Sequence, residues 1–162
     1  MTKTELYLKT IFCCMACDGD IAKEEVDVVR RLSSGHEIFA GIDVETLLNK
    51  WIAEINSKGT TFLNAYLTDL SEAVLTADEQ LEIVDLAIKT IEADNRIEYS
   101  EIKFFKKMRA RLSVSDDEIL KRNPDKEEFL LPDLNEADSS LWSNLKLPEI
   151  ILNPLNADGR LG

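Results

Sequence analysis

Apolar residues recur three and four positions apart along most of the first 122 residues. This spacing is typical of amphipathic α-helices, and strand-like alternation bounded by turn residues is missing, so the pattern predicts an all-α fold. Turn residues and capping signals divide the pattern into seven segments, which predicts a bundle of seven helices. Their predicted spans are about 3–17, 23–34, 44–59, 61–75, 77–93, 100–112 and 115–123.

One segment of the helical pattern occurs twice, 76 residues apart. The two copies are CMACDGDIAKEEVDVVRRL at 14–32 and TIEADNRIEYSEIKFFKKM at 90–108. A gap-free alignment places Asp18 on Asp94 and Glu25 on Glu101, and apolar positions also coincide. The repeat therefore indicates that one helical hairpin was built twice, with matched acids at its turns.

The repeat continues beyond this hairpin, because GIDVETLL at 41–48 resembles SVSDDEIL at 113–120. Each unit is therefore predicted to contain three helices. A single hairpin cannot bury its apolar face alone, so we expect the two pseudo-symmetric units to pack face to face about a pseudo-twofold axis. The fourth helix would connect them.

The composition changes after Asn123, where all four prolines of the chain occur among scattered large apolar residues. We therefore divide the chain into a helical domain at 1–122 and an extended C-terminal tail at 123–162. A helical turn is predicted near 140–145, with Trp142 buried. The apolar content favours a tail that docks on its own chain or on a dimer mate, and the alternative is a partner-binding tail that is loose in the free protein.

The net charge of −12, from 31 acidic and 19 basic residues, argues against two partner classes. Nucleic acid and anionic membrane surfaces are bound mainly through Lys and Arg. No apolar run approaches membrane-spanning length, and the first residues do not resemble a secretory signal. Three cysteines within five residues do not suggest a disulfide framework. These observations predict a soluble, cytoplasmic protein with protein partners.

The acidic turns carry the candidate chemistry. Asp18, Gly19, Ile21 and Glu25 have the spacing of the second half of an EF-hand calcium loop, but the first two ligand positions hold Cys14 and Ala16, so a complete EF-hand is rejected. Two such half-sites would converge about the pseudo-twofold axis. The predicted metal ligands are Asp18, Glu25, Asp94 and Glu101, and an all-oxygen set suits Ca²⁺, Mg²⁺ or Mn²⁺.

A second interpretation of the same acids needs no metal. An acid before a helix caps its free N–H groups, and a glutamate in the first turn can reach back to the cap. Both interpretations stay open at this point.

Three other features offer weaker signals for chemistry. Cys14 and Cys17 form a CxxC, predicted to be small core residues because no second pair completes a zinc site. His36 has no catalytic setting. The basic run at 106–111 is predicted to pair with Asp and Glu residues. No catalytic residue is predicted.

The motifs ACDGDIAKEE at 16–25 and EADNRIEYSE at 92–101 resemble the acidic signature of the TerB family of tellurite-resistance proteins. That domain also forms the N-terminal part of some membrane-anchored DnaJ-like co-chaperones. The resemblance covers residues 5–122. The second motif departs from the signature, because Asn95 and Arg96 replace the Gly and acid of the first copy. It implies an all-α bundle of two related halves, in a stress-response protein whose acids bind a metal ion and which acts in a complex rather than as an enzyme.

Two further functions stay open as alternatives. The first is a protein-interaction scaffold without metal, associated with co-chaperones. The second is a thiol redox sensor that uses Cys14 and Cys17.

Overall fold

The computed structural model describes residues 1–93 and 97–130 of the chain, and within these ranges it is entirely helical. The predicted all-α fold is therefore confirmed. The described part contains eight α-helices and a short 3₁₀-helix at Glu37–Phe39. The α-helices are α1 (Lys3–Met15), α2 (Lys23–Ser34), α3 (Val44–Lys58), α4 (Thr60–Glu72), α5 (Ala77–Ile91), α6 (Tyr99–Arg109), α7 (Asp116–Arg122) and α8 (Glu127–Leu130).

Several helix starts follow from local capping signals that the sequence already contained. The hydroxyls of Thr76 and Ser115 accept hydrogen bonds from the backbone N–H three residues later, as the two predicted capping boxes require. Asp43 caps α3 by accepting from the Thr46 N–H at 3.1 Å, and the hydrogen bonds from Thr46 lower the pKa of Asp43. These caps satisfy helix N–H groups that would otherwise lack partners.

Helices α1 and α5 form the centre of the bundle. Nine of the thirteen residues of α1 and eight of the fifteen residues of α5 are buried. The two helices also make the most extensive packing contact in the fold. They are the first helices of the two predicted repeat units, so the core is built where the copies meet.

Contacts at both ends of the bundle show that α1 and α5 run in the same direction. At their starting ends, the Lys3 ammonium lies 2.8 Å from Glu79, which is the counterpart of Lys3 in the repeat. At the opposite end, the Cys17 Sγ lies 3.8 Å from the Oγ of Ser100, which follows the second turn. A pseudo-twofold axis parallel to the two helices would give this arrangement. It brings the first acidic turn and the start of α6 to one end of the bundle.

Residues 124–130, the described part of the predicted extended tail, contain a short helix. The short helix α8 places the Phe129 ring at 1% exposure against Phe105, with ring centroids 5.3 Å apart. The side-chain amide of Asn123 donates to Asp85 at 2.7 Å, and Lys126 forms an ion pair with Glu92.

Residues Met1–Leu130 form one compact unit. The predicted turn near 140–145 and the burial of Trp142 lie outside the described residues, and the division at residue 122 stays a prediction. No helix in the described ranges is long and apolar enough to cross a membrane.

Candidate functional site

The first acidic turn joins α1 to α2 and lies against the junction of α3 and α4. The Gly19 N–H donates to the Ala16 carbonyl at 2.9 Å, and Gly19 has a φ of +96°. A Cβ atom at this position would lie 3.2 Å from the Thr60 methyl group. Both the backbone conformation and the available space therefore favour glycine beside the exposed Asp18.

Replacing Gly19 with alanine should lower the free energy of unfolding by about 1–3 kcal/mol, because alanine at positive φ is strained and its methyl group would crowd Thr60. Urea denaturation followed by circular dichroism measures the loss. Gly41→Ala is the matched control, since no atom lies within 4 Å of its Cβ position and its φ is not positive. Equal stability of the two variants would contradict this role for Gly19.

Glu25 and Glu101 occupy equivalent positions in the two copies and make the same hydrogen bond. The Ala22 N–H donates to Glu25 Oε1 at 2.8 Å, and the Glu98 N–H donates to Glu101 Oε1 at 2.8 Å. These bonds are the glutamate half of a capping box, so the capping interpretation is confirmed for both residues. A carboxylate has two oxygens and accepts more than one bond, so a cap alone does not exclude a ligand role.

Two of the four predicted ligands affect the pKa of one thiol. Burial raises the pKa of Cys17 to about 12, and the negative charges of Asp18 and Glu101 add to the rise, while the hydrogen bond with Ser100 opposes it. Asp18 is exposed, whereas Glu101 is only 7% exposed. The 3.8 Å contact between Cys17 Sγ and Ser100 Oγ therefore joins the segment that carries Asp18 to the start of the helix that carries Glu101.

The complete four-carboxylate arrangement stays a prediction. Asp94 lies outside the described residues. Among residues 1–93 and 97–130, no group of three or more His, Cys, Asp or Glu side chains is arranged to hold a metal ion. The carboxylates near Cys17 are nevertheless hard oxygen donors of the kind that the predicted cations prefer.

The cysteines are free thiols with different surroundings. The sequence predicted that Cys14 and Cys17 are small core residues; Cys14 is buried, whereas Cys17 is only half-buried. Cys13 is buried as well, and burial raises the pKa of the Cys13 and Cys14 thiols. Raised pKa values leave little thiolate at neutral pH, which disfavours nucleophilic or redox chemistry at these positions.

The basic run at 106–111 forms fewer ion pairs than the sequence predicted. Arg109 binds Asp116 at 2.8 Å. Lys106 and Lys107 have no ion pair within the described part of the chain. The predicted pairing therefore holds for Arg109 but not for these two lysines.

A buried lysine was missed by the sequence analysis. The Lys9 ammonium lies 4.7 Å from the centre of the Phe62 ring and 5.7 Å from that of Trp51, and 3.9 Å from a carboxylate oxygen of Asp69. The aromatic faces and the carboxylate compensate its charge in a largely apolar setting. The position of this lysine within the apolar run of α1 was the one indication in the sequence that it is buried. Its role is to hold α1 against α3 and α4.

No family model, curated protein or solved structure matches this chain. The resemblance to the TerB family therefore stays a prediction.

Proposed function

We propose that this chain is a non-enzymatic binding module whose two acidic turns hold one hard divalent cation, Ca²⁺, Mg²⁺ or Mn²⁺. The cation-loaded end would present a fixed surface to a protein partner. The cellular setting is the stress response that the TerB resemblance implies. The observation that supports the proposal is the 3.8 Å contact between Cys17 Sγ and Ser100 Oγ, because Asp18 follows Cys17 and Glu101 follows Ser100 in the chain.

Charge supplies the physical reason for a cation at this end. The negative charges of Asp18 and Glu101 both raise the pKa of Cys17, and Glu101 is largely removed from water. A divalent cation would offset this negative charge and replace lost hydration with direct oxygen contacts. Asp94 and Glu25 would complete the set if the second turn carries Asp94 to the same region.

The second candidate function is a protein-interaction scaffold without metal. Its specific support is the pair of identical capping bonds made by Glu25 and Glu101, which explains both glutamates as structural residues. Under this alternative the acids stabilise helix starts and contribute surface charge.

Calorimetric titration of the full chain with Ca²⁺, Mg²⁺ and Mn²⁺ separates these two functions. We expect one ion per chain, with affinity weakened about tenfold or more in each of Asp18→Asn, Asp94→Asn and Glu101→Gln. Loss of one charged oxygen ligand from a small set is the physical reason. An ion at about 100 times its dissociation constant should also stabilise the fold by about 2.7 kcal/mol, which thermal melting detects.

Glu118→Gln is the matched control for Glu101→Gln. Glu118 Oε1 accepts from the Ser115 N–H at 2.9 Å, so it makes the same kind of capping bond on α7 without a paired acidic turn. Its removal should leave ion affinity unchanged. If the wild type gives no heat beyond dilution and no ion shifts its melting temperature, the cation site does not exist and the scaffold function is favoured.

A further inference from the structure

The end of α6 carries positive charges that have no acidic partner in the described part of the chain. Lys106, Lys107 and Arg111 form no ion pair within residues 1–93 and 97–130. Arg109, in the same stretch, is neutralised by Asp116 at 2.8 Å. Three positive charges therefore remain within residues 106–111 of a chain whose net charge is −12. We call Lys106, Lys107 and Arg111 the basic end of α6.

The basic end lies away from the core-facing side of α6. The helix buries Phe104, Phe105 and Met108, whereas Lys107 and Arg111 are exposed. The Arg111 Nη1 donates to the Lys107 carbonyl at 3.0 Å, so the Arg111 side chain turns back along the last turn of α6. Like charges four positions apart on a helical turn destabilise each other. An anionic partner bound at this end would relieve that repulsion.

Contacts with α5 and α7 hold the basic end in place. The backbone N–H groups of Ser113 and Val114 both donate to Gln80 Oε1, at 2.8 and 3.1 Å. The ion pair between Arg109 and Asp116 joins the end of α6 to the start of α7. The segment after α6 is therefore fixed from two sides. A surface that is already ordered loses less conformational entropy when a partner binds.

The basic end is also well separated from the first acidic turn. That turn lies at the start of α6, where the Cys17 Sγ is 3.8 Å from the Ser100 Oγ. The eleven residues of α6, at about 1.5 Å each, place its two ends about 16 Å apart. This distance exceeds the Debye length of about 8 Å at physiological ionic strength. The acids of the turn therefore exert only a screened repulsion on an anionic partner at the basic end.

We propose that the basic end of α6 is the docking site for a short acidic peptide segment of a partner protein. Charge complementarity is the reason, since each of the three cations can meet one carboxylate. Nucleic acid fits less well, because its phosphate backbone would extend beyond these cations over a chain with 31 acidic residues. The inference rests on the proposed binding function and names the chemistry of its protein partner. It does not depend on the cation site, so either can fail while the other holds.

Fluorescence polarisation of a labelled octaglutamate peptide tests the docking site on the full chain, without added divalent cations. We expect saturable binding that weakens about tenfold when the salt concentration rises from about 50 to about 300 mM, because salt screens exposed charges. Lys107→Glu combined with Arg111→Glu should weaken binding by about tenfold or more, because two attractive charges become repulsive. Thermal melting verifies that each variant is folded before its affinity is compared.

Lys50→Glu combined with Lys58→Glu is the matched control. Both lysines are exposed on α3, and their replacement changes the net charge by the same amount as the test variant does. Only the position of the charge change differs. The control should bind octaglutamate within about twofold of the wild type, since its charges lie on another helix.

Four outcomes would overturn the proposal. The wild type does not bind octaglutamate, or the two double variants lose the same affinity. Duplex DNA at the same salt concentration binds more tightly than the peptide and loses affinity in Lys107→Glu with Arg111→Glu, which would make nucleic acid the occupant. Sedimentation of the wild type alone shows a dimer that this double variant dissociates, which would make a second copy of the chain the occupant.

Discussion

Replacing Phe12 with alanine should lower the free energy of unfolding by about 3–5 kcal/mol, the usual range for a buried phenylalanine. Phe12 lies in the central helix α1 and has no exposed surface. Its ring centroid lies 5.7 Å from those of both Trp51 and Phe62, so one side chain joins α1 to α3 and α4. Removing the ring deletes these contacts and leaves a cavity between three helices.

Urea denaturation monitored by circular dichroism measures this loss. Val74→Ala is the control, because Val74 is 90% exposed and truncation there should change stability by less than about 0.5 kcal/mol. Phe12→Leu should fall between the two, since leucine fills part of the space. A loss below about 1 kcal/mol for Phe12→Ala would mean that the aromatic cluster does not connect the three helices as described.

The parts of the fold that depend on local signals were predictable from the sequence. Thr76 and Ser115 each precede a glutamate by three residues, and that spacing alone specifies the cap. The repeat predicts a further cap, because the gap-free match between Glu25 and Glu101 implies that both make the same hydrogen bond. Each glutamate does accept a hydrogen bond from the backbone N–H three residues before it.

The features that sequence analysis missed depend on residues far apart in the chain. Lys9 is buried because Phe62 and Trp51, on other helices, provide aromatic faces for its charge. The apolar periodicity of α1 does not specify which side chains of other helices lie against Lys9. The candidate site is limited in the same way, since the contact of Cys17 with Ser100 depends on how α6 packs against the end of α1 rather than on either acidic motif.

The helix α8 was missed because its local signals oppose a helix. Pro124 and the acidic residues around it are typical of a connecting segment, and Asp125 adopts a positive φ of 73° before the helix begins. What specifies α8 is the contact of Phe129 with Phe105 on α6. A four-residue helix has little stability of its own, so packing must supply it.

Replacing Phe129 with alanine should therefore lower the free energy of unfolding by about 3 kcal/mol. The ring is 1% exposed and meets Phe105 edge-on, with an interplanar angle of 83°. Urea denaturation gives the global loss, and hydrogen exchange of the α6 amides reports whether the surface beneath α8 becomes accessible. Both should change together if α8 unfolds cooperatively with the bundle.

The outcome of this substitution tests whether α8 stabilises the compact unit formed by Met1–Leu130. Glu128→Ala, an exposed change in the same helix, is the control and should alter stability by less than about 0.5 kcal/mol. If Phe129→Ala matches that control, α8 contributes nothing to the bundle and the helical domain ends near residue 122. If it is strongly destabilising, α8 contributes to the stability of the bundle, and the ion pair between Lys126, just before α8, and Glu92, at the end of α5, is a second connection. Burial of one aromatic ring would then set the boundary that composition alone placed at Asn123.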